Sequence, residues 1–137
     1  IELSEKIALS ASQCSRRRSR LESTGVICGY QASLDPHKIG LDLLVVISVT
    51  LATHNRDNAR RFGQLVNDLP EVLEAYALTG EMDYHLKVAT RGPAGLSRFV
   101  NDVLLPHDSV QHVKTSIVLD TLKRFEGLPL TGLHEAE

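Results

Sequence analysis

"LDLLVVISVTLA", residues 41–52, is the stretch on which the arrangement of the chain turns. It is rich in Val, Ile and Leu, a composition that suits a strand. From Leu43 to Ile47 it is apolar on both faces. Such a strand belongs in the middle of a sheet, with helices covering one side and more helices or another subunit covering the other.

Downstream, "HNRDNARRFGQLVNDLP" places Phe62, Leu65, Val66 and Leu69 at helical spacing, and Pro70 ends the pattern. "EVLEAYALT" and "DYHLKVATR" alternate as strands do, and Gly80, Glu81 and Met82 join them as a tight hairpin connection. "GPAGLSRFVNDVLL" starts with Pro93 in a first helical turn and repeats Leu96, Phe99, Val100 and Val103, so a second helix is expected. "SVQHVKTSIVLDTLKRF" supplies a long last strand. The order strand, helix, strand, strand, helix, strand predicts an α+β fold of the ferredoxin-like (βαββαβ) type over residues 41–125, with an antiparallel sheet and both helices on one face. The other face needs cover, and a homodimer with sheets face to face is the economical solution.

Upstream, Val26 to Leu34 reads as a strand separated from residue 41 by Asp35, Pro36 and Gly40. Before it, "IELSEKIALSAS" reads as a short helix capped at Ser4. A second helix follows, with Ser10 or Ser12 as its cap and Gly25 as its left-handed terminator. Helix, short turn, helix outlines a helix-turn-helix. At 100° per residue, Cys14 and Leu21 share the inner side, while Ser12, Gln13, Ser15, Arg16, Ser19 and Arg20 take the opposite half. Arg17 falls at the border and Arg18 within the apolar stripe.

Charge follows the same division. Residues 1–25 carry Lys6 and four arginines against Glu2, Glu5 and Glu22, a net +2, in a chain of 137 residues whose formal net charge is −2. A basic segment on an acidic body suggests two tasks, one of them contact with a polyanion. With 42% hydrophobic and 23% charged residues the chain is an ordinary globular protein of one main domain with room for a small appendage. Two cysteines, no secretory leader and no apolar run near membrane-spanning length make the reducing cytoplasm the expected compartment, with no membrane partner. The histidines form no metal-binding pair and the cysteines no CxxC, so no metal, no cofactor and no catalytic residue is expected.

The ordered series "LSEKIALSASQCSRRRSRLESTGVICGYQASLDPHKIGL", "LPEVLEAYALTGEMDYHLKV" and "TSIVLDTLK" resembles the Lrp/AsnC, or feast/famine, family of transcription regulators over nearly the whole chain. The resemblance implies residues 1–27 as the C-terminal part of a winged helix-turn-helix and 28–40 as a linker strand and turn. It implies 41–125 as the effector-binding and oligomerisation domain, and 126–137 as a tail. It also implies a further helix ahead of Ile1, so the chain reads as N-terminally incomplete, and an aliphatic residue where Arg18 stands. Homodimers, octamers or other rings, and an amino acid or related small metabolite bound between dimers, are what the family leads one to expect.

Two sites emerge. Guanidinium groups meet phosphates and guanine edges with paired hydrogen bonds, so Ser12, Gln13, Ser15 and Arg16 are candidates for base edges of double-stranded DNA, with Arg17 and Arg20 nearer the backbone. For the effector, the stretch Leu78, Thr79, Gly80, Glu81, Met82, Asp83, Tyr84 brings a glycine that lets amides approach a carboxylate and an aspartate that can receive an ammonium group. Thr115 and Ser116 add hydroxyls from the last strand. The expected function is a DNA-binding regulator whose assembly or affinity responds to such an effector. Two alternatives remain open: an effector-binding oligomerisation module without DNA binding, and a tetrapyrrole-processing enzyme of similar fold, for which His85 and His112 are the pair to check.

Overall fold

The computed structural model describes residues 10–129. The chain divides into two compact units, Ile1–Leu34 and Asp35–Glu137. The helix expected around Ser4 and the last residues of the tail lie outside the described residues.

In the first unit, helix α1 spans Ala11–Ser23. Ser10 caps it as predicted: its hydroxyl accepts from the Gln13 amide, and the Gln13 side chain accepts from the Ser10 amide at 3.0 Å. This reciprocal box satisfies two of the donors that a helix start leaves unpaired. At the other end Gly25 takes φ 74, a left-handed conformation that a Cβ would strain, and the chain turns off the helix. No residue of α1 is buried, and Leu21 is 41% exposed, so the expected inner side of Cys14 and Leu21 is only partly covered. Arg18 does not enter a core; it reaches solvent and pairs with Glu22 at 3.6 Å.

The strand predicted over 26–34 does not form. A strand needs a ladder partner for its amides and carbonyls, and the described residues offer none. Val26, Tyr30 and Leu34 are instead exposed, and the Tyr30 hydroxyl donates to Glu22 at 2.7 Å, which raises the tyrosine pKa above its usual value.

The second unit is the predicted α+β, ferredoxin-like arrangement. After a single 3-10 turn at His37–Ile39 come β1 Leu43–Leu51, α2 Arg56–Asp68, β2 Val72–Ala77, β3 Tyr84–Thr90, α3 Gly92–Arg98 and β4 Val110–Ile117. Helix α3 runs on into a π-helical stretch, Phe99–Leu104. The four-stranded sheet has the order β2-β3-β1-β4, and every neighbour pair is antiparallel.

Strand β1 lies inside the sheet, as the "LLVVI" run requires. Its alternate residues Val45, Ile47, Val49 and Leu51 are buried with Leu86 and Val88 of β3, Phe62 and Val66 of α2, and Phe99 and Leu104 after α3. The Asn55 side chain caps α2 by accepting from the Asn58 amide at 2.8 Å, and the helix stops short of Pro70. The opposite face, with Leu44 and Val46 of β1 half-buried, is not covered by a helix among the described residues.

Two element bounds differ from the sequence reading. The hairpin connection runs from Leu78 to Asp83 rather than over Gly80–Met82, although the Leu78 amide still donates to the Asp83 carbonyl across its base. The last strand stops at Ile117 instead of continuing towards residue 125. Its final rung is the Val118 amide on the Leu44 carbonyl at 2.9 Å; β1 begins at Leu43, and among the described residues the ladder goes no further.

Phe62 is 1% exposed, with its ring centroid 4.7 Å from that of Tyr84. Phe62→Ala should therefore cost about 3–5 kcal/mol in a urea unfolding titration, the range for emptying a well-packed aromatic site. A loss below about 1 kcal/mol would mean that α2 is not seated on this core.

Candidate nucleic-acid interface and effector loop

Helix α1 presents all the predicted reader residues to solvent: Ser12, Gln13, Ser15, Arg16, Arg17 and Arg20 are exposed. Arg16 and Arg20 are one turn apart on the same side, so their Cα atoms rise about 6 Å along the axis. Neither they nor Arg17 form an ion pair among the described residues, whereas Arg18 is engaged by Glu22. The Gln13 carbonyl oxygen is occupied by the helix cap, which leaves its amide NH2 as the group able to reach outward. The Ser12 hydroxyl lies 3.0 Å from that of Ser10.

The loop Leu78–Asp83 sits where β1 ends. Its two ends are tied together by the Leu78 amide donating to the Asp83 carbonyl at 2.8 Å. The loop is also tied to β1: the Asp83 amide donates to the Val49 carbonyl at 3.0 Å, and the Leu51 amide donates to Asp83 Oδ2 at 2.7 Å. His54 Nδ1 stands 3.3 Å from Asp83 Oδ1, and the Thr50 hydroxyl points at Met82 Sδ at 3.6 Å. Gly80 has φ 129, in the region that favours glycine, and open space where a Cβ would be. Among the described residues, the backbone amides of Thr79, Gly80, Glu81 and Met82 donate no hydrogen bond. A loop clamped at both ends with four uncommitted amides between them is suited to an anionic group such as a carboxylate.

The clamp changes the part expected of Asp83. One of its oxygens already serves Leu51, and its side chain is only 19% exposed, so it is first a structural acceptor. Thr115 and Ser116 do not join the loop within one chain. They pair with Ile47 and Val46, on the β4 side of β1, while the loop bonds to Val49 and Leu51 from the β3 side. As adjacent strand residues they also point to opposite faces. His85 and His112, the pair to check for tetrapyrrole chemistry, are held apart by β1: His85 pairs with Ser48 and His112 with Thr50. Among the described residues no three His, Cys, Asp or Glu side chains gather to hold a metal.

Comparison with known proteins fits this geometry. Residues 44–128 match the Lrp/AsnC ligand binding domain. The chain belongs to the Lrp/AsnC family. It is 33% identical over 130 residues to the transcriptional regulator AzlB of Bacillus subtilis, covering 95% of this chain and 83% of that protein. It is 39% identical over 129 residues to the glutamate uptake regulatory protein of Zymomonas mobilis, covering 94% and 78%. Among solved structures, the L-Met complex of a transcriptional regulator from Neisseria meningitidis superposes with TM-score 0.93 at 41% identity, over 97% of this chain and 86% of that one. These Lrp/AsnC relatives are regulators rather than enzymes.

The sequence reading missed two features of this family member. His54 beside Asp83 was readable only as the residue before a helix cap. An open cavity of about 530 Å³ beside α3, lined in part by Leu41, Thr90, Arg91, Arg98 and Phe99, joins residues too far apart in sequence to signal it.

Because the Asp83 carboxylate holds the end of β1, Asp83→Ala should lower unfolding free energy by about 1.5–3 kcal/mol without any ligand, as expected for a hydrogen bond to a charged acceptor. A side chain that served a ligand alone would leave the stability of the free protein unchanged in the same titration.

Proposed function

We propose that this Lrp/AsnC family member is a sequence-specific DNA-binding transcriptional regulator whose assembly or DNA affinity is set by an amino acid or related small metabolite. The observation that carries the reading is the outer side of α1, where Arg16 and Arg20 stand exposed and unpaired among the described residues. Ser12, Gln13, Ser15 and Arg16 read base edges from the N-terminal half of the helix, while Arg17 and Arg20 position it on phosphates. On this reading the partner is double-stranded DNA and the compartment the cytoplasm.

The effector loop supports the second half of the reading. The carboxylate of an amino acid meets the uncommitted amides of Thr79 to Met82, with Leu78, Glu81 and Tyr84 around it. Its ammonium group meets Asp83 Oδ1 or the hydroxyls of Thr115 and Ser116 supplied by a neighbouring subunit, since one chain keeps these apart. The L-Met bound to the Neisseria regulator makes methionine the first compound to try. A homodimer, and from it an octamer or other ring, completes such a site. The effector then acts by binding one assembly better than another, without any reaction.

The reading is tested by fluorescence anisotropy on DNA selected from a random pool. Arg16→Ala should weaken specific binding by about 1–3 kcal/mol and relax the sequence preference. Arg20→Ala should reduce the log-log salt slope by about 0.9, one phosphate's worth, across all sequences. Binding that is absent, or flat with salt and untouched by both changes, would leave an effector-binding module in place of a regulator. A thermal-shift screen of the twenty amino acids tests the effector, because a ligand at a hundred times its Kd adds about 2.7 kcal/mol to apparent stability.

A further inference from the structure

After Val118 the chain leaves the sheet carrying apolar side chains with nothing against them. Leu119 is 97% exposed, Leu122 93%, Phe125 81% and Leu128 77%. They recur at every third position. Single exposed apolar residues are ordinary, but four in one short segment at this exposure mark an interaction surface. Residues 119–129 make no backbone hydrogen bond among the described residues, and the segment contains no turn, only a bend at Leu122.

The open face of the sheet carries a matching feature. A groove of about 220 Å³ crosses all four strands, lined by Tyr76 of β2, His85 and Lys87 of β3, Leu44 and Val46 of β1, and Val118 at the end of β4. Its walls are mostly aliphatic. Lys87 is already paired with Glu74 at 2.8 Å. The hydrogen bonds from Lys87 and then Tyr76 hold the Glu74 carboxyl below its usual pKa.

The groove is not filled by the segment that starts at its edge. Val118 lines it, yet Leu119, Leu122 and Phe125 beyond it stay exposed instead of folding back into it. Between Val118 and Gly127 neither Gly nor Pro occurs to favour a tight turn back onto its own sheet. A second copy has no such restriction. Extended, the eleven residues 119–129 span about 36 Å. Crossing four strands needs only about 15 Å.

We infer that residues 119–129 form an exchange arm: in the homodimer each arm lies across the open sheet face of the other copy, and Leu119, Leu122 and Phe125 fill the groove lined by Leu44, Val46 and Tyr76. The inference rests on the homodimer of the proposed function and adds its occupant. Burying both arms accounts for a large part of the roughly 1,200–2,000 Å² that a stable dimer removes from water, since one phenylalanine alone brings about 150–250 Å².

Two single-cysteine variants of the full chain test it, both in a Cys14→Ser, Cys28→Ser background: one carries Val46→Cys, the other Phe125→Cys. Because the two cysteines sit on different molecules, a short bismaleimide added to the mixture can join position 46 to position 125 only between copies. The expected result is that link, identified by mass spectrometry. Sedimentation equilibrium of Leu122→Ser, Phe125→Ser should show a dimer dissociation constant raised at least about tenfold, as for loss of interface anchors, with an unchanged circular dichroism spectrum. A chain that sediments as a monomer overturns the dimer and the arm together. A dimer that gives no 46–125 link between copies, or that is untouched by the double substitution, overturns the arm alone.

Discussion

Strand β1 is bonded along both edges, to β3 and to β4, and is sealed on one face by the side chains of α2 and the α3 region. The rest of the second unit hangs from that strand. Val45, Ile47, Val49 and Leu51 fix which face the helices occupy, and a register slip by one residue would turn Ser48 and Thr50 into the core. The same alternation leaves Leu44 and Val46 on the opposite face, where no helix among the described residues covers them. A sheet sealed on one side and apolar in part on the other is built for association. The homodimer proposed above would follow from this strand pattern.

The ends of β1 matter for a different reason. At the C-terminal end the ladder gives way to a clamp, in which the carboxylate of Asp83 takes the Leu51 amide and the Asp83 amide takes the Val49 carbonyl. The clamp fixes both ends of the Leu78–Asp83 loop while its middle amides stay uncommitted. Holding donors in place before a ligand arrives removes the ordering cost that binding would otherwise carry. At the N-terminal end of β1 the ladder to β4 closes with the Val118 amide on the Leu44 carbonyl, and among the described residues it extends no further. Past Val118 the apolar side chains of Leu119, Leu122 and Phe125 stay exposed.

Much of this was legible in the residues, and the remainder was hidden for physical reasons. Binary patterning gave the order of elements and the central place of β1, because a strand apolar on both faces has few places to go. The capping box at Ser10 and the left-handed Gly25 were readable since both are local chemistry. The strand expected over Val26 to Leu34 failed because strand propensity reports a side-chain preference, while a strand exists only through a partner. The long final strand failed for the same reason: "IVLDTLKRF" has the composition of a strand, but β1 is too short to serve it. At the candidate effector loop the sequence offered Asp83 only as a receiver for an ammonium group, since its bond to Leu51, far away in the chain, leaves no trace in spacing. Thr115 and Ser116 could be placed on β4 from sequence, but only the pairing register shows them on the far side of β1 from the loop.

The proposal at the centre of this reading is that the clamped loop receives the charged end of an amino acid on its own amides. Backbone amide NMR of the full chain, recorded during titration with L-methionine and then with the other amino acids, tests it most directly. The account predicts that for at least one of them the resonances of Thr79, Gly80, Glu81 and Met82 shift and saturate together while Leu51, already bonded to Asp83, moves little. Saturable binding that leaves those four amides in place and shifts residues elsewhere would contradict it.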